Sequence, residues 1–352
     1  MHITAHLNSG GTLILGASLQ LFAHALQFWR PPFPLFVITF FFSGIGIAFQ
    51  DAVANAYISN LKYSHRWLGI LHALYGVGAL ISPLVATAIS SHRPDKWHYF
   101  YLLPFGLTVF NVLFLVVTFR GMVGGNSKAQ KDAATGQLKE TLRNKVVLLL
   151  AGFFFIYVGT EVTAGGWIVE FLIKVRHGAP ERVGYVASGF WGGLTAGRVL
   201  LAEPTYRFGE QRMTLLYLLL SAVFVAIFWA VESVIVSSVM ISLFGFVIGP
   251  FYPTGISIVQ QLIGREGQVS AIAMIASVGQ AGSAAFPFLT GAIADGQGVG
   301  VLRGMLVALV GAMSIVWVLV PGVPGRGKWW AVERPEEKMG DVEEGSTEVV
   351  EK

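Results

Sequence analysis

The sequence predicts an all-α polytopic membrane protein, and three observations carry that prediction. Of 352 residues, 12% are charged and 54% hydrophobic, whereas soluble domains carry about 25% charged residues. The apolar residues come in runs of about 20, the length a helix needs to span a ~30 Å hydrocarbon core. Between the runs lie short breaks rich in Pro, Gly and basic residues.

Taken in order, the apolar runs predict ten helices: 11–28, 34–60, 67–90, 98–119, 146–172, 183–202, 213–232, 234–262, 268–294 and 299–320. The seventh and eighth are separated only by Glu232 and Ser233. The first run lacks the basic start and cleavage site of a signal peptide and reads as a retained membrane helix. The longest internal break, Arg120–Lys145, is polar and basic. It divides the chain into four helices within 1–119, a linker over 120–145, and six helices within 146–322. Residues 323–352 form a polar tail with eight acidic residues between Glu333 and Glu351, a composition that predicts a solvated, disordered segment.

No cysteine is present, which excludes disulfides, thiolate catalysis and Cys-based metal sites. The net charge of +4 is spread over short loops and does not indicate a nucleic-acid partner. The partners expected are the lipid bilayer and a small solute. With the N-terminus placed in the cytoplasm, 17 Lys and Arg residues fall on the inner side and seven on the outer. That bias puts both termini inside.

The two parts of the chain echo each other. His72–Ile89 (HALYGVGALISPLVATAI) matches Ala276–Ile293 (ASVGQAGSAAFPFLTGAI) at a constant offset of 204, pairing Gly78 with Gly282 and Pro83 with Pro287. Parallel internal repeats are a transporter signature.

Two acids fall well inside apolar runs, Asp51 and Glu161. A charged carboxylate at a helix centre costs about 2.5–3.5 kcal/mol on the mildest scale, so such residues face a polar cavity or a partner. Asp51 and Asn55 share a helix face, because residues four apart stack, and Gln50 adjoins them. Around Glu161, Tyr157, Thr160 and Gly165 form a second polar and small face. Gly165 and Gly166 predict a weakened or bending helix there, and Trp167 offers a ring for stacking on a sugar or an interfacial anchor. His72 and Tyr75 are neighbours at spacing three, and His72 reads equally as a proton relay or a buried hydrogen-bonded histidine. His24 has no polar company predicted on its face and reads as structural. Gln260, Gln261 and Gln280 are further lining candidates. No triad signature, HExxH pair, His cluster or P-loop occurs, so no enzyme activity, metal or cofactor is expected and transport would draw on a gradient.

Four stretches carry a family resemblance. They are Gln50-Asp-Ala-Val-Ala-Asn55, the segment Gly69–Ala79 (GILHALYGVGA) followed by Pro83, Tyr157–Trp167 (YVGTEVTAGGW), and Gly197-Arg198 with Arg207, Gly209 and Arg212. Together they resemble the major facilitator superfamily, specifically fungal transporters related to the fucose permease. The last stretch resembles the G-x-x-x-D-R-x-G-R-R loop motif, associated with gating, in degenerate form: Tyr206 stands at the acid, and Glu210 and Gln211 replace basics. The resemblance implies a major facilitator fold in which these ten helices are numbers three to twelve, so that the first two are expected to be missing. It also implies that Asp51 and Asn55 line a central cavity, with Asp51 as proton or substrate acceptor, Asn55 hydrogen-bonding the solute and Glu161 facing them from the other half. The expected function is secondary active transport of a small polar, sugar-like solute, with or without coupled protons, by alternating access. Export of a secondary metabolite on the same fold, and a non-transporting sensor or vestigial fragment, are the alternatives.

Overall fold

A computed structural model describes residues 7–59, 61–122 and 139–322; most of the linker and the whole acidic tail lie outside these residues. The main helices are α1 (Ser9–Gln27), α2 (Phe33–Ser59), α3 (Ser64–His92), α4 (Leu102–Phe119), α5 (Lys145–Lys174), α6 (Val186–Leu200), α7 (Glu210–Ala230), α8 (Val234–Ile248), α9 (Phe251–Leu262), α10 (Arg265–Gln297) and α11 (Val301–Leu319). Eight spans among the described residues are long and apolar enough to cross a membrane. Neither α1 nor the 15-residue, glycine-rich α6 is among them.

Helix starts follow side-chain chemistry. The first amide groups of a helix have no internal acceptor, and a short polar side chain before them supplies one. Asn8 accepts from the Gly11 amide at 3.1 Å. Asn144 accepts from those of Val146 and Val147 at 2.9 and 3.4 Å, and Ser233 from that of Val236 at 3.4 Å.

Two of the expected helices are interrupted. The run 234–262 is two helices, α8 and α9, broken at Gly249-Pro250. Pro250 has no amide hydrogen, and Pro253 lies within the first turn of α9, where a missing amide costs nothing. The run 183–202 is a short turn, Pro180–Val183, then α6, then a separate helix Ala202–Phe208. Conversely, α5 runs unbroken through Gly165 and Gly166. Gly165 is there for proximity: a Cβ on it would lie 2.7 Å from the Trp191 ring.

In a bilayer the solvent is as apolar as the side chains, so close packing and interhelical polar bonds hold helices together. Glycines set the approach of α5 to α10, where a Cβ on Gly282 would overlap the Phe155 carbonyl oxygen. They also set that of α3 to α6, where one on Gly76 would collide with Thr195 Oγ1. At the glycine pair of the repeat the packing differs: Gly78, the partner of Gly282, faces open space, while Pro83 and Pro287 both lie inside their helices. A large buried cluster joins α5 to α11 and takes in Leu68 of α3. A small one, Leu13, Ala17, Val53 and Leu115, joins α1, α2 and α4.

Candidate functional site

Where α2 and α3 meet α5, α6, α9 and α10, the structure builds one connected polar network inside the apolar helices. Its first part centres on Asp51. Asn55, one turn on, donates its Nδ2 hydrogen to Asp51 Oδ1 at 2.7 Å. Tyr252, in the first turn of α9, donates its hydroxyl to Asp51 Oδ2 at 2.9 Å. The Gln280 side chain on α10 faces the same carboxylate. Because the Asn55 amide nitrogen is engaged with Asp51, its Oδ1 faces His72 Nε2, 3.0 Å away, as acceptor. That fixes the donor tautomer at Nε2. The imidazole also packs against the Tyr252 ring, 4.4 Å between centroids. A short chain Asp51–Asn55–His72 thus runs from α2 to α3, with Tyr252 closing it from the far side.

The second part centres on Arg198. Its Nη2 lies 3.2 and 3.3 Å from the two oxygens of Glu161, and the Tyr157 hydroxyl donates to Glu161 Oε2 at 2.5 Å. Both charged side chains are almost wholly buried, at 2% and 3% exposed. Charge-assisted contacts of this kind offset the loss of hydration that an isolated buried charge would suffer. Arg198 Nη1 donates to the main-chain oxygen of His72 at 3.1 Å, and the guanidinium lies over the Tyr75 ring, 5.4 Å from its centroid. Arg198 is therefore the joint between the two parts: it holds Glu161 on one side and the helix carrying His72 and Tyr75 on the other.

Asp51, Asn55, His72, Tyr75 and Glu161, all anticipated from the sequence, come together here. Gln50 does not. It belongs to a separate amide chain, donating to Gln20 Oε1 at 2.6 Å and accepting from Asn111 at 2.7 Å, which links α1, α2 and α4. Trp167 also lies elsewhere, donating its indole hydrogen to the Pro287 carbonyl at 3.2 Å and packing beside Gly291; it braces α10 near its proline. His24, expected without polar company, has Gln27 Oε1 at 2.8 Å. Gln261 bonds to Glu210 at 2.5 Å, away from Asp51, and the Gln260 carbonyl accepts from Gln268 at 2.8 Å.

The loop-motif residues separate in the structure. Arg198 is not in a loop: it occupies the last turn of α6, and its guanidinium is buried. Gly197 beside it packs against α8, where a Cβ would overlap the Phe246 carbonyl oxygen. Arg207 pairs with Glu203 on the surface at 2.8 Å. Gly209 turns the chain into α7 at φ +95°, a conformation glycine adopts without penalty. Arg212 is half-buried in the first turn of α7. Glu210 and Gln211, which stand where basics were expected, are buried, with Gln211 donating to the Pro321 carbonyl at 2.6 Å.

Two participants escape sequence reasoning, Tyr252 and the buried role of Arg198. Tyr252 lies two residues after Pro250, just past the Gly249-Pro250 break, and a broken helix is where transporters place site residues. Arg198 is followed by Val199, Leu200, Leu201 and Ala202, an apolar flank that a loop arginine would not have.

This arrangement defines a class, polytopic α-helical membrane proteins with a polar network buried among their helices. A family model described as the Major Facilitator Superfamily matches residues 9–287, and the chain belongs to that family. It is 26% identical over 311 residues to bypass of stop codon protein 6 of Saccharomyces cerevisiae, an alignment covering 79% of this chain. The chain spans only 62% of that relative's length. In fold it is similar to the Escherichia coli fucose:proton symporter, crystallised as a point variant, with TM-score 0.71, 15% identity, and 91% of this chain and 86% of that one covered. A structure of the fucose transporter in an outward conformation gives TM-score 0.69 at 15% identity, covering 92% and 85%. The human organic anion transporter MFSD10 gives 0.68 at 13%, covering 89% and 79%.

Proposed function

We propose that this chain serves secondary active transport of a small, polar, sugar-like solute, coupled to protons, by alternating access. The observation that carries the reading is the network joining Asp51, Asn55 and His72 to Tyr252, Glu161 and Arg198 across helices from both parts of the sequence. On this reading the helices 9–119 and 146–322 are the two moving bundles, the residues between them are a cytoplasmic linker, and both termini are cytoplasmic. On the same reading the chain belongs to the fungal, fucose-permease-like branch of the family.

Bonds that cross from one bundle to the other must break when the bundles rock apart. Tyr252 to Asp51 and Arg198 to the His72 carbonyl are such bonds. A solute hydroxyl can replace Tyr252 on Asp51, since it donates the same kind of hydrogen bond. Hydroxyl, amide and carboxylate groups around Asp51 and Asn55 suit a polar solute better than the aromatic lining expected of a secondary-metabolite exporter.

Charge supports a cationic partner. Counted with His72 neutral, the network holds one cation, Arg198, against two carboxylates, and one proton brings it to neutrality. Membrane carboxylates are the usual carriers of such protons.

The test is uptake of radiolabelled neutral sugars into proteoliposomes at two pH values. The expected outcome is uptake that rises as the external pH falls. Asp51→Asn loses this pH dependence while still inserting into membranes, and Glu161→Gln raises the half-saturation concentration by disturbing the Arg198 side of the site. Accumulation driven by a pH gradient in the Asp51→Asn protein would overturn the assignment.

A further inference from the structure

We propose that Arg198 is a positioning residue that divides the work of the two intramembrane acids: it commits Glu161 to a fixed internal ion pair and leaves Asp51 as the one acid that exchanges a proton. The inference deepens the transport reading of the same network, but its test needs no transported solute.

The two carboxylates differ in counter-ion and access. Glu161 has a guanidinium nitrogen within 3.3 Å of both oxygens and a phenol hydroxyl on one of them, and its side chain is 3% exposed. Arginine keeps its charge in proteins, so the counter-ion of Glu161 is permanent and local. Asp51 is half-buried, and the groups bonded to it, Asn55 and Tyr252, are neutral, as is Gln280 facing it from α10. None of the ion pairs among the described residues includes it. A carboxylate held only by neutral donors can be neutralised only from outside its own shell.

The remaining groups facing the pair are accounted for. From α3 come His72, whose Nε2 is engaged by Asn55, and Tyr75, stacked on the guanidinium. From α5 come Tyr157 and Glu161, from α6 Arg198, and from α9 Tyr252; α10 contributes the neutral Gln280. Arg198 bonds only one of the two acids, because its Nη2 lies on Glu161 and its Nη1 on the His72 carbonyl; its charge acts on Asp51 across space, without a bond. Its position therefore selects which acid is held in a contact ion pair.

Infrared spectroscopy reads this directly, since a protonated carboxylic acid has its own carbonyl stretch. Purified protein in lipid is titrated across the pH range from about 5 to 8, where a histidine also changes charge. One buried carboxylic band is expected to appear and vanish with pH. Carbon-13 labelling of aspartate shifts that band, and labelling of glutamate does not, an assignment that needs no substitution. Asp51→Asn abolishes the band. Arg198→Gln adds a second band belonging to Glu161, and Arg198→Lys, which restores a cation, removes it again. A wild-type band that moves with glutamate labelling, a band retained in Asp51→Asn, or the absence of any titrating band overturns the proposal. The labelling arm decides even where Arg198→Gln fails to fold. Protein that shows the aspartate band but transports nothing refutes the transport reading alone. Protein that transports with a glutamate band refutes this inference alone.

Discussion

Replacing Arg198 by Met while keeping Glu161 leaves a carboxylate almost wholly buried with only the Tyr157 hydroxyl beside it. At 3.2 Å and an effective dielectric constant of about 20, the lost attraction is about 5 kcal/mol. Measured penalties for removing one partner of a buried pair run at about 3–5 kcal/mol, so the two figures agree. Glu161→Gln alone strands the guanidinium instead and costs an amount of the same order. The double variant, Arg198→Met with Glu161→Gln, strands neither charge, and replacing whole buried pairs is often close to neutral. The double variant is therefore expected to lie within about 2 kcal/mol of wild type, with a coupling of at least about 3 kcal/mol between the sites. The assay is denaturant unfolding in micelles, followed by tryptophan fluorescence, on all four proteins. Additive single effects, or an Arg198→Met cost below about 1 kcal/mol, would refute the pairing as the force that holds α5 to α6.

Further expectations concern the surrounding contacts. Tyr252→Phe removes one hydrogen bond to a carboxylate, of the kind worth about 1.5–3 kcal/mol, and with it the group a solute hydroxyl must displace; solute affinity in the uptake assay should rise by about tenfold or more, and an unchanged half-saturation value would place Tyr252 outside the site. Gly282→Ala forces a methyl group against the Phe155 carbonyl and should destabilise by about 1–3 kcal/mol. Gly152→Ala, which meets nothing within 4 Å, should instead gain up to about 1 kcal/mol from helix propensity; thermal melting of the two compares them. Trp167→Phe loses the bond to the Pro287 carbonyl and about 1 kcal/mol of stability, with the sugar concentration for half-maximal uptake unchanged. Arg176, buried between α5 and α7, donates to the carbonyls of Phe228 and Trp229 at 3.1 and 3.4 Å. Arg176→Ala should loosen the end of α7, seen as faster amide hydrogen exchange there.

Helix positions are legible because apolar run length is set by bilayer thickness, a constraint visible in one dimension. The shared face of Asp51 and Asn55 is legible because helical spacing alone puts residues four apart together. Contacts between distant helices leave no such trace. Gln50 directly precedes Asp51 in sequence yet points about a hundred degrees round the helix, toward Gln20 and Asn111. Trp167 is compatible with stacking on a solute, and only the position of Pro287, 120 residues on, shows what its indole hydrogen meets. Arg198 misleads for a different reason. A charge near the end of an apolar run reads as a loop residue, but a guanidinium can enter the interior when an acid on another helix receives it. Glu161 already implies such a partner, and Arg198 carries apolar residues on its far side.

The place of Asn55 between Asp51 and His72 has a consequence for where a proton can travel. A primary amide accepts at oxygen and donates at nitrogen, but it does not pick up a proton on one atom while releasing another, as water or imidazole does. The link therefore transmits polarisation, so that a charge on His72 is felt at Asp51, and yet it is no wire for hydrogen ions. A proton lodged at one end cannot slip to the other through this bridge. On the proton-coupled reading proposed above, such an insulating link would keep a proton on the residue that took it up.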